Sequence, residues 1–247
     1  MRLLLINPNR TQAVTDAVLA AAVGSAHANT ELIAVTGDWG PLVIGSRAEN
    51  AIAQHGVLEL IARHAAGCDA VVLGVSLDTA LWACRELVDI PVIGMTEAGF
   101  LMGSTLATRI GLLTYGRRMA PLYRELIESY GLTGRLAGIE ALDITPQQTF
   151  NEPKAVRATI LAGIQRLIER DNAEAVLLAG AAMASLAGQL QGQVNVPLLD
   201  GVGCAVALAE ARVALRLPKT RVGSTSPIGR RDVTGVSPIL AALFDRP

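Results

Sequence analysis

Two stretches of this chain, a little over a hundred residues apart, carry the same pattern in the same order. Arg2-Leu3-Leu4-Leu5-Ile6-Asn7 matches Arg109-Ile110-Gly111-Leu112-Leu113-Thr114 at an offset of 107 residues. Asp69–Leu73 matches Glu174–Leu178 at an offset of 105, and Pro91 and Pro197, each opening a further strand, lie 106 apart. Near-equal offsets in order point to an internal duplication. Within each repeat, short aliphatic runs alternate with longer stretches of helical period, the pattern of βαβ units in a parallel sheet. Strands are predicted at 2–6, 31–36, 70–75 and 92–95, then at 110–115, 138–143, 175–180 and 196–200. Val156, Ile160, Ile164, Leu167 and Ile168 fall on one helical stripe, and Leu122, Leu126, Ile127 and Tyr130 on another. The expected fold class is α/β, as two pseudo-symmetric four-stranded parallel-sheet halves with flanking helices and a cleft between them. Residues 1–104 with 205–247 form the first half in this reading, and residues 105–204 the second.

Composition narrows the function. Hydrophobic residues are 51% of the 247, enough to fill such a core, and charged residues only 17%. Lys and Arg number 21 against 22 Asp and Glu, so no basic surplus argues for nucleic acid or an anionic membrane. No apolar run reaches the ~18 residues of a membrane span, and the first strand passes too soon into a polar turn to read as a signal peptide. The expected compartment is cytoplasmic. Cys68, Cys84 and Cys204 show no CxxC spacing and read as buried thiols. With His27, His55 and His64 the only histidines, neither a metal site nor a cofactor is expected. Gly201-Val202-Gly203 lacks the third glycine of a dinucleotide fingerprint and reads as a tight turn at a helix start.

Open parallel sheets bind ligands beyond the carboxyl ends of their strands. Asn7, Val75, Thr114 and Gly180 occupy those ends, two from each repeat, and the segment Leu217–Ile228 has the basic and hydroxyl character of a loop able to close over them.

Ile6-Asn7-Pro8-Asn9, Gly40-Pro41, Ala70–Glu86 running into Ile90–Gly94, Val196–Val202 and Leu217–Gly223 together resemble the aspartate/glutamate racemase superfamily, most closely its hydantoin and allantoin racemase branch. The resemblance implies two cysteines, one after the third strand of each half. One thiolate removes a proton α to a carbonyl and the other thiol returns one from the opposite face. The branch reads roughly Ala-Cys-Phe-x-Asp-Pro-Gly-Leu where this chain has Gly74-Val75-Ser76-Leu77-Asp78-Thr79-Ala80-Leu81, and Gly-Cys-Ala-Gly-Met where it has Ala179-Gly180-Ala181-Ala182-Met183. The cysteine positions thus fall on Val75, or Gly74, and on Gly180. The duplication pairs Val75 with Gly180 independently, since each lies six residues past Asp69 or Glu174.

The expected function is therefore a racemase-fold enzyme acting on a small carbonyl or hydantoin-like substrate, with an anion-stabilising cleft in place of paired thiols. One-sided lyase, decarboxylase or hydrolase chemistry is the first alternative, and a non-catalytic small-molecule-binding protein the second. Asp78, Ser76 and Glu97 are the candidate catalytic residues. For Asp78 the alternative is a helix cap, for Ser76 a substrate hydrogen bond, and for Glu97 a solvated or capping role. Asn7, Val75, Thr114, Tyr115, Gly180, Ala181 and Thr220 are the candidate substrate contacts. The alternative for Asn7 and Thr114 is a helix cap, for Tyr115 packing, and for Thr220, with Lys219, Arg221 and Ser224, an ordinary solvated exterior. His55, on an apolar stripe, reads as packed. Backbone amides after Val75 and Gly180 are expected to cradle an oxyanion. The partner is a small molecule, and a homo-oligomer is expected from the resemblance and the apolar content.

Overall fold

A computed structural model describes residues 1–184 and 186–245. Its strands are β1 Arg2–Asn7, β2 Glu31–Thr36, β3 Ala70–Leu73 and β4 Val92–Gly94, then β5 Ile110–Tyr115, β6 Leu136–Leu142, β7 Ala175–Ala179 and β8 Leu198–Asp200. The helices are α1 Gln12–Ser25, α2 Arg47–His64, α3 Leu81–Leu87, α4 Met95–Gly103, α5 Met119–Ser129, α6 Pro146–Asn151, α7 Pro153–Asp171, α8 Leu186–Leu190, α9 Gly201–Ala214 and α10 Pro238–Ala241.

The duplication survives in the hydrogen bonding. Both sheets are parallel and have the same strand order, β2-β1-β3-β4 and β6-β5-β7-β8. Leu3 pairs with Ala70 in the first and Ile110 with Ala175 in the second, the same register shifted by the offsets read from the sequence. The central strands are continuously apolar because helices cover both faces. Every residue of β3, β5 and β7 is buried, whereas β2 and β6, at the edges, are largely half-exposed.

Several boundaries move by one or two residues. β3 ends at Leu73 rather than 75: Gly74 N–H still donates to Ile6 O, but Asp78 N–H then turns back to Val75 O. β7 likewise stops at Ala179, because the chain enters a short 3₁₀ turn, Ala181–Met183. Val75 and Gly180 therefore belong to turns beyond the strand tips. β4 yields to α4 at Met95, β6 opens at Leu136, and β8 opens at Leu198.

The halves exchange helices. α4, from the first repeat, packs against β7 and β8 of the second sheet, and α9, from the second, packs against β3, α1 and α4 of the first half. Phe100 of α4, fully buried, joins Leu177 and Leu199 in one core. Gly99 lets α4 come this close: a Cβ there would stand 2.6 Å from Leu177. Val202, Ala205, Val206 and Ala209 of α9 are fully buried in a core shared with Leu3, Leu5 and Val72. Among the described residues no helix is long and apolar enough to cross a membrane, and no three His, Cys, Asp or Glu side chains gather as a metal site.

Candidate functional site

A cleft of about 250 Å³ opens where the carboxyl ends of the two sheets face one another. Val75 and Ser76 line it from the first half, and Thr114, Tyr115, Gly180 and Ala181 from the second. Two walls were not anticipated from sequence. The loops after the equivalent edge strands β2 and β6 contribute Val43–Gly45 and Ile144–Pro146. Proline placement is the signal that was available: Pro146 opens α6, behind a reciprocal cap between Thr145 and Gln148, so the loop before it is held in place. Arg118 stands exposed at the mouth.

The floor is a hydroxyl chain. Ser76 Oγ lies 2.5 Å from Tyr123 Oη, and Tyr123 Oη donates onward to Ala179 O at 3.3 Å. Tyr123, on α5, is 1% exposed, and burial pushes its phenol up to about 12 against the pull of the Ser76 and Thr114 hydroxyls. It is therefore a neutral donor at neutral pH. Sequence reading missed it because Tyr123 sits beside Leu122 on an amphipathic helix and looks like core. Tyr115 is also buried, with its hydroxyl 2.7 Å from Thr149 Oγ1 and its phenol raised by desolvation.

The turns leave backbone donors over. The amides of Ser76 and Leu77, and of Ala181 and Ala182, donate to no other described residue. Free N–H groups at such turns attract oxyanions.

Other expected residues lie elsewhere. Asp78 does not face the cleft. Its backbone takes a left-handed φ of +47°, which carries the side chain beneath α4. There Oδ1 accepts from Thr96 N at 3.0 Å, and Oδ2 accepts from Glu97 N and from Tyr130 Oη, both at 2.8 Å. Neither expected role describes it: the helix it caps is α4, not α3, which follows it directly and has no side-chain cap. Burial raises its pKa from 3.8 to about 7, with those donors opposing. Glu97 is corrected as well: both of its oxygens meet Arg85, at 3.0 and 2.5 Å, away from the cleft. Asn7 is 1% exposed, and its amide bonds Asn9, the Thr11 carbonyl and Thr15, fixing the β1–α1 turn; its neighbour Asn9 lines the cleft instead. Thr220 lies at a second cavity with no lining residue in common. His55 pairs with Glu59 at 3.7 Å and stacks edge-on against Trp39, also outside the cleft.

Among the described residues no cysteine lines the cleft. Cys84 is fully buried, with its thiol raised to about 12 by desolvation; Cys204, on α9, is shifted likewise; and Cys68 Sγ donates to His64 O. The two tips differ in what a thiol there would meet. At 75 a side chain already faces the cleft, while at Gly74 a Cβ would stand 2.9 Å from Val18. At Gly180 a Cβ would stand 2.6 Å from the Tyr115 ring and 2.9 Å from Met183. The Tyr115 ring occupies the space of a second-half side chain.

A family profile described as Asp/Glu/Hydantoin racemase matches residues 3–209. The chain is 34% identical over 216 residues to a hydantoin racemase of Pseudomonas sp. (strain NS671), covering 87% of each chain. Among solved structures, an allantoin racemase from Klebsiella pneumoniae superposes with a TM-score of 0.93 at 32% identity, over 97% of this chain and 98% of that one. An allantoin racemase from Pseudomonas fluorescens gives 0.92 at 26% identity, over 95% and 100%.

Proposed function

The chain belongs to the Asp/Glu/hydantoin racemase family, and on that premise we propose that it is a racemase-type enzyme for a small, hydantoin-like carbonyl compound, working without cleft thiols. One observation carries this reading: the hydroxyl pair Ser76–Tyr123 and unused amides from both repeats converge on a single small cleft. Its walls at Val43, Ile44, Val75 and Ile144 suit an apolar ring substituent, and Arg118 at the mouth suits an anionic or strongly polarised group.

The chemistry follows from what lines the cleft. Among the described lining residues there is no Cys, His, Asp, Glu or Lys, so no side chain there supplies a base poised near neutral pH. The work shifts to making the α C–H acidic. Amide donors of the two turns hold the developing enolate oxygen, each such donor being worth roughly 3 kcal/mol of barrier in a water-poor site. Solvent takes the proton and solvent returns one to the carbanion, while Ser76 Oγ, held in place by Tyr123, positions the substrate. Substrates with an already acidic α proton fit best.

The closed face at Tyr115 favours a second reading. With a side-chain hydroxyl at the first tip and none at the second, a reaction that leaves its own electron pair in the enolate needs no base, and loss of CO₂ from an α-carboxylate is such a reaction. Incubation in heavy water with single enantiomers of 5-substituted hydantoins and with α-carboxylated acids separates the two by NMR. Deuterium uptake with loss of chirality supports the racemase-type reading. Release of CO₂ without uptake into the hydantoins supports the one-sided one, and the absence of both results overturns both readings in favour of a binding protein. Association into a homo-oligomer and the division into 1–104 with 205–247 and 105–204 remain parts of this proposal, the first testable by light scattering.

A further inference from the structure

The basic segment expected to close over the cleft runs instead along the amino end of β4, where Pro218, Lys219, Thr220 and Thr225 border a separate cavity of about 390 Å³. Its other walls come from α3, the approach to β4, α4 and α9. It lies at the opposite end of the first sheet from the cleft.

Its charges are unevenly matched. The Arg85 guanidinium meets both oxygens of Glu97 and stacks 4.8 Å above the Trp82 ring. Lys219 Nζ donates to Glu86 O and Val88 O at 2.8 and 3.2 Å, pinning the segment to the rim, and lies 4.0 Å from Asp89; Arg221 is 3.6 Å from the same carboxylate. Arg212 of α9 is different. It has neither ion pair nor hydrogen bond among the described residues, and its Nε is sealed from solvent with no acceptor. A shut-in cationic donor is unfavourable unless an anion completes it. Trp82 and Leu101, both more than 40% exposed, present apolar surface to the same cavity.

We propose that this cavity is a second ligand site, taking a small anion that carries a carboxylate or phosphate on an apolar body. The head group accepts from the Arg212 guanidinium, whose planar fork matches either anion, and from the Thr225 hydroxyl. The body lies against Trp82 and Leu101. The tail does clamp an anion in this reading, at the far end of the sheet from the cleft.

Calorimetric titration of the full chain with phenyl phosphate and with phenylacetate tests it, the stronger of the two identifying the head group. Saturable binding is expected, about tenfold or more weaker in Arg212→Gln and unchanged in Ser76→Ala. Trp82→Ala, at an exposed ring, should weaken phenyl phosphate but not inorganic phosphate, and keeps the test open if Arg212→Gln fails to fold. Absence of binding by either probe, or equal affinity in Arg212→Gln, overturns the proposal. So does a change in particle mass by light scattering in Arg212→Gln with no effect on titration, which would assign Arg212 to a contact between copies.

Discussion

The turns after β3 and β7 stand at equivalent places in two sheets of identical order and register, yet they are built from opposite materials. The first carries a hydroxyl and a carboxylate and bends through left-handed residues, Asp78 at φ +47° and Ala80 at +64°. The second is a 3₁₀ turn of Ala181, Ala182 and Met183, with no polar side chain, and a ring from the neighbouring strand fills the space beside it. Strand interiors are held alike by ladder hydrogen bonds and by helices on both faces. Tips lie outside the ladder, so their side chains were free to diverge. The chemistry of the cleft is consequently lopsided, although its backbone is nearly symmetric.

The largest expected effect of breaking this contrast lies at Asp78. Asp78→Ala strands the Thr96 and Glu97 amides and the Tyr130 hydroxyl, and should cost roughly 3–5 kcal/mol in urea denaturation; a loss below about 1 kcal/mol would show that the first turn does not depend on its carboxylate. Because burial raises this pKa from 3.8 to about 7, the folded state holds the proton more tightly than the unfolded one. The stabilisation is full below about pH 4 and is lost as pH rises through 7, so wild type should weaken relative to Asp78→Asn across that window. Next comes Tyr123→Phe, which breaks the hydroxyl chain and should lower turnover or deuterium exchange about 10–100-fold with little change in KM. Ser76→Ala should do the same, and the double variant should be no worse than either single one.

The second turn offers the sharper probe of asymmetry. Gly180→Cys should destabilise by about 1–3 kcal/mol through overpacking on Tyr115, and Tyr115→Ala in the same chain should relieve it, as read by thermal melting. Val75→Cys alone should fold normally, since valine already fills that place. Glu97→Gln should have the smallest effect, about 1 kcal/mol of stability from its pair with Arg85, with activity unchanged; a lost activity would return Glu97 to the cleft.

How far the sequence reached follows from the same contrast. Strands, their order of appearance and the pairing of positions 75 and 180 were legible because aliphatic period and the repeat offset record the ladder directly. Asp78 was misplaced because nearness to a strand tip says nothing of a positive φ at the residue itself. Glu97 was misplaced because its partner, Arg85, lies on another helix. Tyr123 was overlooked since a phenol on an amphipathic helix has the periodicity of core whether or not its hydroxyl is used. Thr220 was sent to the wrong end of the sheet, for no local pattern records which way a tail turns after its last helix.

The exchange of α4 and α9 also bears on motion. Opening the cleft by swinging one half from the other like a hinge would drag Phe100 out of the second core and Val202 and Val206 out of the first, a near-unfolding event. Substrate entry must therefore be left to the short loops around Ile44 and Ile144, whose half-buried side chains have less to undo. Loop excursions run on nanosecond to microsecond timescales, so passage into and out of this cleft should be fast relative to any chemistry performed there.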